Sequence, residues 1–135
     1  MDVLNMLVNR AIVSIDHNAT LQDAARIMRD KKIGSLLVVK EGGYVGILTE
    51  TDVNRRAVAD GLIPAKVAVE SIMSSPIISI DIHSPPEKAN DLMREKGIRH
   101  LAVTEKGEVV GIISVRDLLR YFQVYYGGIG SLKTK

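Results

Sequence analysis

Two short segments of this chain place a hydroxyl three residues ahead of a carboxylate: Thr49-Glu50-Thr51-Asp52 and Ser114-Val115-Arg116-Asp117. Each follows an apolar run, Gly46-Ile47-Leu48 or Gly111-Ile112-Ile113, and so falls at the step from a strand into a helix. An aspartate there can accept from two neighbouring hydroxyls of a sugar. The amides of the helix start lack intrahelical partners, face the same way and favour an anion. The same spacing also makes a capping box, in which Ser or Thr caps the helix and Asp returns the bond three residues later. The residues alone are compatible with both roles.

Arg99-His100 is the other distinctive pair, just ahead of the apolar run Leu101-Ala102-Val103. Arginine offers a planar fork of donors for phosphate oxygens, and the imidazole adds a donor that gains charge below neutrality. A solvated strand edge is the competing explanation. Catalysis finds little in the chain: it has no cysteine, no His-x-x-x-His or carboxylate cluster at metal-ligand spacing, and no phosphate-binding loop. His17 and His83 fall in polar turns and read as surface residues. The chain is therefore expected not to be an enzyme and to need no cofactor or metal.

The elements that must position these residues are written twice. At a shift of sixty-five residues, with no gap, about sixteen of the forty-four pairs between 13–56 and 78–121 are identical. Each copy opens with a short β-branched run, Ile12-Val13-Ser14-Ile15 or Ile77-Ile78-Ser79-Ile80. A helix follows, from about Thr20 to Lys32 with Leu21, Ala24, Ala25 and Met28 on one face. Its second copy starts Ser84-Pro85-Pro86-Glu87, which reads as a serine cap with early proline and capping-box glutamate. Hairpins around Glu41-Gly42-Gly43 and Lys106-Gly107 come next. A second helix closes each copy, ended by Gly61 and Pro64 or by Gly127-Gly128. Short helical pieces at Leu4–Val8 and Val69–Met73 introduce the units. The expected divisions are residues 1–62, residues 67–126 and a mobile, basic tail at 127–135.

Length suits one compact module, since 135 residues can bury a reasonable core and either half alone would be marginal. The halves should fold against each other about an approximate twofold axis. A net charge of +2 beside 25% charged residues gives no broad basic field, which argues against wholesale binding to nucleic acid or a membrane surface. No secretory signal and no membrane-length apolar run is visible, so the cytoplasm is the expected location.

This order of strand, helix, hairpin and helix resembles the cystathionine-β-synthase type domain (CBS domain), whose tandem pairs form a Bateman module. The resemblance rests on Met73 before Pro76-Ile77-Ile78-Ser79-Ile80, on Gly97-Ile98-Arg99-His100-Leu101-Ala102-Val103, and on the two Gly-x-x-(Ser/Thr)-x-x-Asp segments. It implies an α/β fold with a mixed sheet and packed helices in each repeat. The implied role is regulatory: sensing an adenosine-containing ligand such as AMP, ADP, ATP or S-adenosylmethionine. The resemblance further implies that each cleft takes its ribose-binding Asp from one repeat and its other contacts from the opposite one. One cleft would join Thr49 and Asp52 to Ile78, Ile98, Arg99 and His100. The other would join Ser114, Arg116 and Asp117 to Val13, Ile33, Gly34 and Ser35, with fewer cations on its strand side. The first is accordingly expected to be the better phosphate site.

Aromatic residues gather at the last helix as Tyr121, Phe122, Tyr125 and Tyr126. They either pack on their own repeat or form an intermolecular contact; family modules commonly pair into homodimers through such helices. A separate effector protein is the expected target of regulation. Two other functions remain: a ligand-free dimerisation scaffold and, ranked last, nucleic-acid binding through Arg10, Arg55, Arg56, Arg116 and Arg120, for which stacking platforms are lacking.

Overall fold

The computed structural model describes residues 2–126, which form two compact units. One is Ile12–Ile77; the other joins residues 2–11 to residues 78–126. The sequence repeat and the spatial unit are thus cut differently: the piece that precedes each repeat by number belongs to the unit of the other copy.

In the first unit, β1 (Ser14–Asp16) runs parallel to β2 (Ser35–Lys40), and β2 pairs antiparallel with β3 (Gly43–Thr49). The second unit repeats this with β4 (Ser79–Asp81), β5 (His100–Glu105) and β6 (Glu108–Ser114). Both sheets are mixed, with the β2 or β5 strand central. The hairpin turns are two residues long with positive φ throughout, 52° and 79° at Glu41-Gly42 and 52° and 80° at Lys106-Gly107. That is the turn whose twist matches its strands, and glycine in its second place removes the steric cost there. Val45 and Val110 are bulged at the same place in each hairpin, where the register slips past Val38 and Val103.

Helix α1 (Val3–Leu7) opens the chain. Helix α2 (Leu21–Lys31) is capped by Thr20, whose hydroxyl accepts from the Asp23 amide at 3.1 Å while the Asp23 carboxylate accepts from the Thr20 amide. Its counterpart α4 (Pro86–Lys96) departs from the expected serine cap. The N-cap is Pro85, which has no side-chain acceptor, and no side chain caps the helix; Pro86 at its start lacks one of the amides that would need a cap. Ala25, expected on the apolar face, is exposed, and Ile27 packs against the core in its place. Both helices end in a left-handed residue, Lys32 at φ 56° and Gly97 at φ 65°. Only glycine adopts that conformation without a Cβ penalty. We therefore expect Lys32→Gly to raise stability by about 0.5–1 kcal/mol, the relief of strain exceeding the entropy added to the unfolded chain; a urea midpoint at or below wild type would contradict this.

Each unit has its own core. In the first, Ile15, Leu21, Ala24, Met28, Leu36, Val38, Leu48, Ala57, Val69 and Ile72 are buried together. In the second, Leu4 from α1 joins Ile80, Ile82, Ala89, Met93, Leu101, Val103, Ile113 and Leu118. The last helices differ. In the first unit α3 (Glu50–Val53) passes into a π-helical turn at Asn54–Val58, whereas α5 (Val115–Tyr126) is α-helical throughout. The expected stop at Gly127-Gly128 and the 127–135 tail lie outside the described residues.

Candidate functional site

The strand-to-helix steps fold as capping boxes in both units. Thr49 Oγ1 accepts from the Asp52 amide at 3.2 Å, and Asp52 Oδ2 accepts from the Thr49 amide at 3.0 Å. Ser114 Oγ accepts from the Asp117 amide at 3.3 Å, and Asp117 Oδ2 takes the Ser114 amide and hydroxyl at 2.8 and 3.0 Å. The capping role is therefore real, and the remaining carboxylate oxygen decides what else each acid can do.

Those second oxygens differ. Asp52 is 7% exposed, and its Oδ1 accepts from the Ser74 hydroxyl at 2.8 Å with Arg56 Nε at 3.9 Å. Asp117 is half-buried, and its Oδ1 has no hydrogen-bond partner among the described residues. A carboxylate oxygen left open in this way can accept from a ligand hydroxyl without breaking an existing bond.

Within each unit the step adjoins the mouth of the central strand. Ser114 pairs with His100, and the Val115 amide donates to the Arg99 carbonyl at 2.8 Å. Ser35 pairs with Thr49, and the Glu50 amide donates to the Gly34 carbonyl at 3.1 Å. The second unit thus gathers Ile98, Arg99, His100, Ser114, Arg116 and Asp117; the first gathers Ile33, Gly34, Ser35, Thr49 and Asp52. Arg99 and Arg116 are exposed and make no ion pair among the described residues. The matching positions of the first unit, Gly34 and Thr51, bring no cation.

The apolar candidates Val13, Ile33, Ile78 and Ile98 are partly buried against their own cores. The carbonyls of Val13 and Ile78 accept from the Leu37 and Ala102 amides of the central strands, at 3.1 and 3.2 Å. Two neighbours of Asp52 were not grouped with it in the sequence: Ser74, and Arg56, considered there only for nucleic acid. Arg56 lies four positions beyond Asp52, a helical neighbour legible in the chain, but Ser74 is 22 residues away and its approach depends on the fold.

The histidines divide. His83 is exposed and its Nδ1 lies 2.5 Å from Asp2 Oδ2; hydrogen bonding to Asp2, then its charge, raises the imidazole above its ordinary range. His17 is half-buried, so the surface reading fits His83 alone. Hydrogen bonding to Glu70, followed by its charge, likewise raises Lys40, across a 2.9 Å contact that ties β2 to the turn after residue 68. Among the described residues, no three His, Cys, Asp or Glu side chains gather as a metal site, and no helix is long and apolar enough to cross a membrane.

A doubled strand, helix, hairpin and helix, each with an acid at the final step, defines a tandem-repeat α/β fold with a mixed sheet in each repeat. Residues 3–59 and 69–124 each match the CBS domain, and the chain belongs to the CBS-domain family. It is 31% identical over 107 residues to the CBS domain-containing protein YhcV of Bacillus subtilis, covering 79% of this chain and 76% of that one. A protein of Methanopyrus kandleri is 32% identical over 116 residues, and there the match spans 84% of this chain but only 59% of the longer relative. Among solved structures, a protein with CBS domains from Burkholderia ambifaria superposes with a TM-score of 0.86 at 30% identity, covering 93% and 96% of the two chains. A hexameric CBS-CP12 protein from bloom-forming cyanobacteria gives 0.82 at 30% identity, over 90% and 68%.

Proposed function

We propose that this CBS pair is a regulatory module that binds an adenosine-containing nucleotide, AMP, ADP, ATP or a relative such as S-adenosylmethionine, and signals occupancy to an effector in the cytoplasm. One observation carries the reading: the strand-to-helix step of the second unit has an uncommitted oxygen on Asp117, and Arg99 and Arg116 at the same step are exposed and make no ion pair among the described residues. An acid for sugar hydroxyls and cations for phosphate are what a nucleotide requires. Thr49, Asp52 and Ser114 hold the helix starts, and Val13, Ile33, Gly34, Ser35, Ile78 and Ile98 line the reading's apolar and main-chain contacts. Binding biases one of two packings, which is how a ligand becomes a signal.

Titration calorimetry with AMP is the test. Asp117→Ala and Arg99→Ala should each weaken binding at least about tenfold, the loss typical of a hydrogen bond to a charged group. Nucleotide binding left intact in both variants would remove the assignment.

We further propose self-association through α5. Tyr125 and Tyr126 are 62% and 63% exposed, while Phe122 packs on the core below them. Tyr121 and Tyr125 stack at 4.7 Å between centroids, forming an exposed aromatic ledge with Val124. Ledges of this composition occupy interface centres, and the hexameric cyanobacterial relative supports self-association as such. Tyr125→Glu is expected to lower the sedimenting mass while the far-ultraviolet circular dichroism stays that of the folded chain, since Tyr125 is exposed on its own unit and its replacement opens no core. A folded variant with unchanged mass would contradict it.

A further inference from the structure

The two acids occupy equivalent places in the repeat, but their surroundings are not equivalent. Ser74 and Asn9 are partners at the repeat shift, and both make the same backbone bridge to the last strand of their unit, Ser74 to Ile47 and Asn9 to Ile112. Their side chains then part. The Ser74 hydroxyl donates to Asp52 Oδ1 at 2.8 Å, while Asn9 Oδ1 turns back to accept from the Ala11 amide at 3.0 Å. Arg56 likewise has Tyr121 as its partner at the shift. It donates to the Ile72 and Met73 carbonyls at 3.3 and 3.0 Å, holding the segment that carries Ser74 against the helix, and it places its charge 3.9 Å from Asp52. The π-helical turn at Asn54–Val58 contains this arginine, and π-turns recur at functional positions.

Resting on the nucleotide reading above, we propose that Ser74, held in place by Arg56, is an internal occupant of Asp52: its hydroxyl fills the position a sugar hydroxyl would take. It thereby restricts the chain to one nucleotide, bound at Asp117. Asp52 keeps both oxygens engaged and is largely shielded from solvent, so a diol would have to displace a charge-assisted bond to reach it. Asp117 presents an open oxygen at no such cost. The sequence expectation ranked the Asp52 group first because Arg99 and His100 were grouped with it; the carboxylate geometry favours the reverse order.

Calorimetry with AMP, counting equivalents per chain, tests this. Wild type should bind one equivalent, reduced at least about tenfold in affinity by Asp117→Asn. Ser74→Ala should reveal a second equivalent, which disappears again when Asp52→Ala is added. One equivalent in both wild type and Ser74→Ala, or two in both, overturns the occupancy argument while leaving nucleotide binding standing. No binding in any variant overturns both. Thermal melts without ligand add an independent check. The losses from Ser74→Ala and Asp52→Ala should be non-additive because one bond accounts for part of each; strictly additive losses would show that the pair is not coupled and sink the proposal.

Discussion

Leu4→Ala is expected to cost about 2–5 kcal/mol, the range for emptying a fully buried leucine site, and to loosen residues 78–126 rather than the repeat that follows it in sequence. Leu4 is completely buried among Ile80, Leu101, Ile113 and Leu118. The chain from α1 is held to β6 by two backbone bonds, Asn9 amide to Ile112 carbonyl at 2.9 Å and the reverse at 3.1 Å. Truncating the side chain removes the apolar anchor of a five-residue helix. A helix that short has no stability of its own, so the cavity is compounded by fraying of α1. Hydrogen exchange should show the loss directly, with faster exchange in β5, β6 and α5 and little change in β2 and β3. Fast exchange confined to the first unit would mean that α1 belongs with the repeat it precedes. Val69→Ala, the equivalent change at the repeat shift, should loosen residues 12–77, with a smaller loss because fewer carbon atoms leave.

That exchange of introductory pieces was only half legible in the sequence. The self-comparison matched Leu4–Val8 to Val69–Met73 and so identified a short helical piece ahead of each repeat. What it could not supply is the partner, because apolar periodicity says that a face is buried and not which core buries it. The hairpins were easier. Glu41-Gly42 and Lys106-Gly107 flanked by β-branched runs specify both the turn and the antiparallel pairing. The α4 cap was misread for a local reason: Ser84 has the right chemistry, but two prolines after it move the helix start one residue on, so the serine falls outside capping reach.

The candidate site follows the same division. The hydroxyl and acid at each step were visible as capping boxes or ligand groups, and both steps do cap. The difference between them was not visible, because it comes from Ser74, whose hydroxyl is brought to Asp52 by a bridge between β3 and an irregular segment. Such a contact has no period and no fixed spacing. Comparing the copies position by position is the signal that finds it: wherever the repeats diverge around a shared acid, as Ser74 with Asn9 and Arg56 with Tyr121, the surroundings of that acid must differ.

Gly111→Ala should be more damaging than Gly46→Ala, although the two glycines are partners in the repeat. Both lie where the irregular segment crosses the last strand, and neither has a positive φ, so the requirement is for space and not for backbone freedom. A Cβ at Gly111 would collide with the Asn9 carbonyl oxygen and come within 2.6 Å of Val8 Cγ2 and 3.0 Å of the Asn9 carbonyl carbon. Two of those three obstacles are backbone and cannot yield without opening the Asn9–Ile112 bridge. At Gly46 the nearest obstacle is Met73 Sδ at 2.6 Å, the flexible part of an adaptable side chain, with the Ser74 carbonyl oxygen next at 2.9 Å. Overpacking in a closed interior costs about 1–3 kcal/mol, and more when backbone must move. Gly111→Ala should therefore fall at or above the top of that range and Gly46→Ala below it. Urea denaturation followed by circular dichroism gives both values. Exchange of the Ile112 amide should quicken sharply in Gly111→Ala, because that amide donates across the bridge. If Gly46→Ala proved the costlier change, Met73 would have to be more rigid than its length suggests, and the crossing in the first unit, which also carries Ser74 to Asp52, would be the tighter of the two.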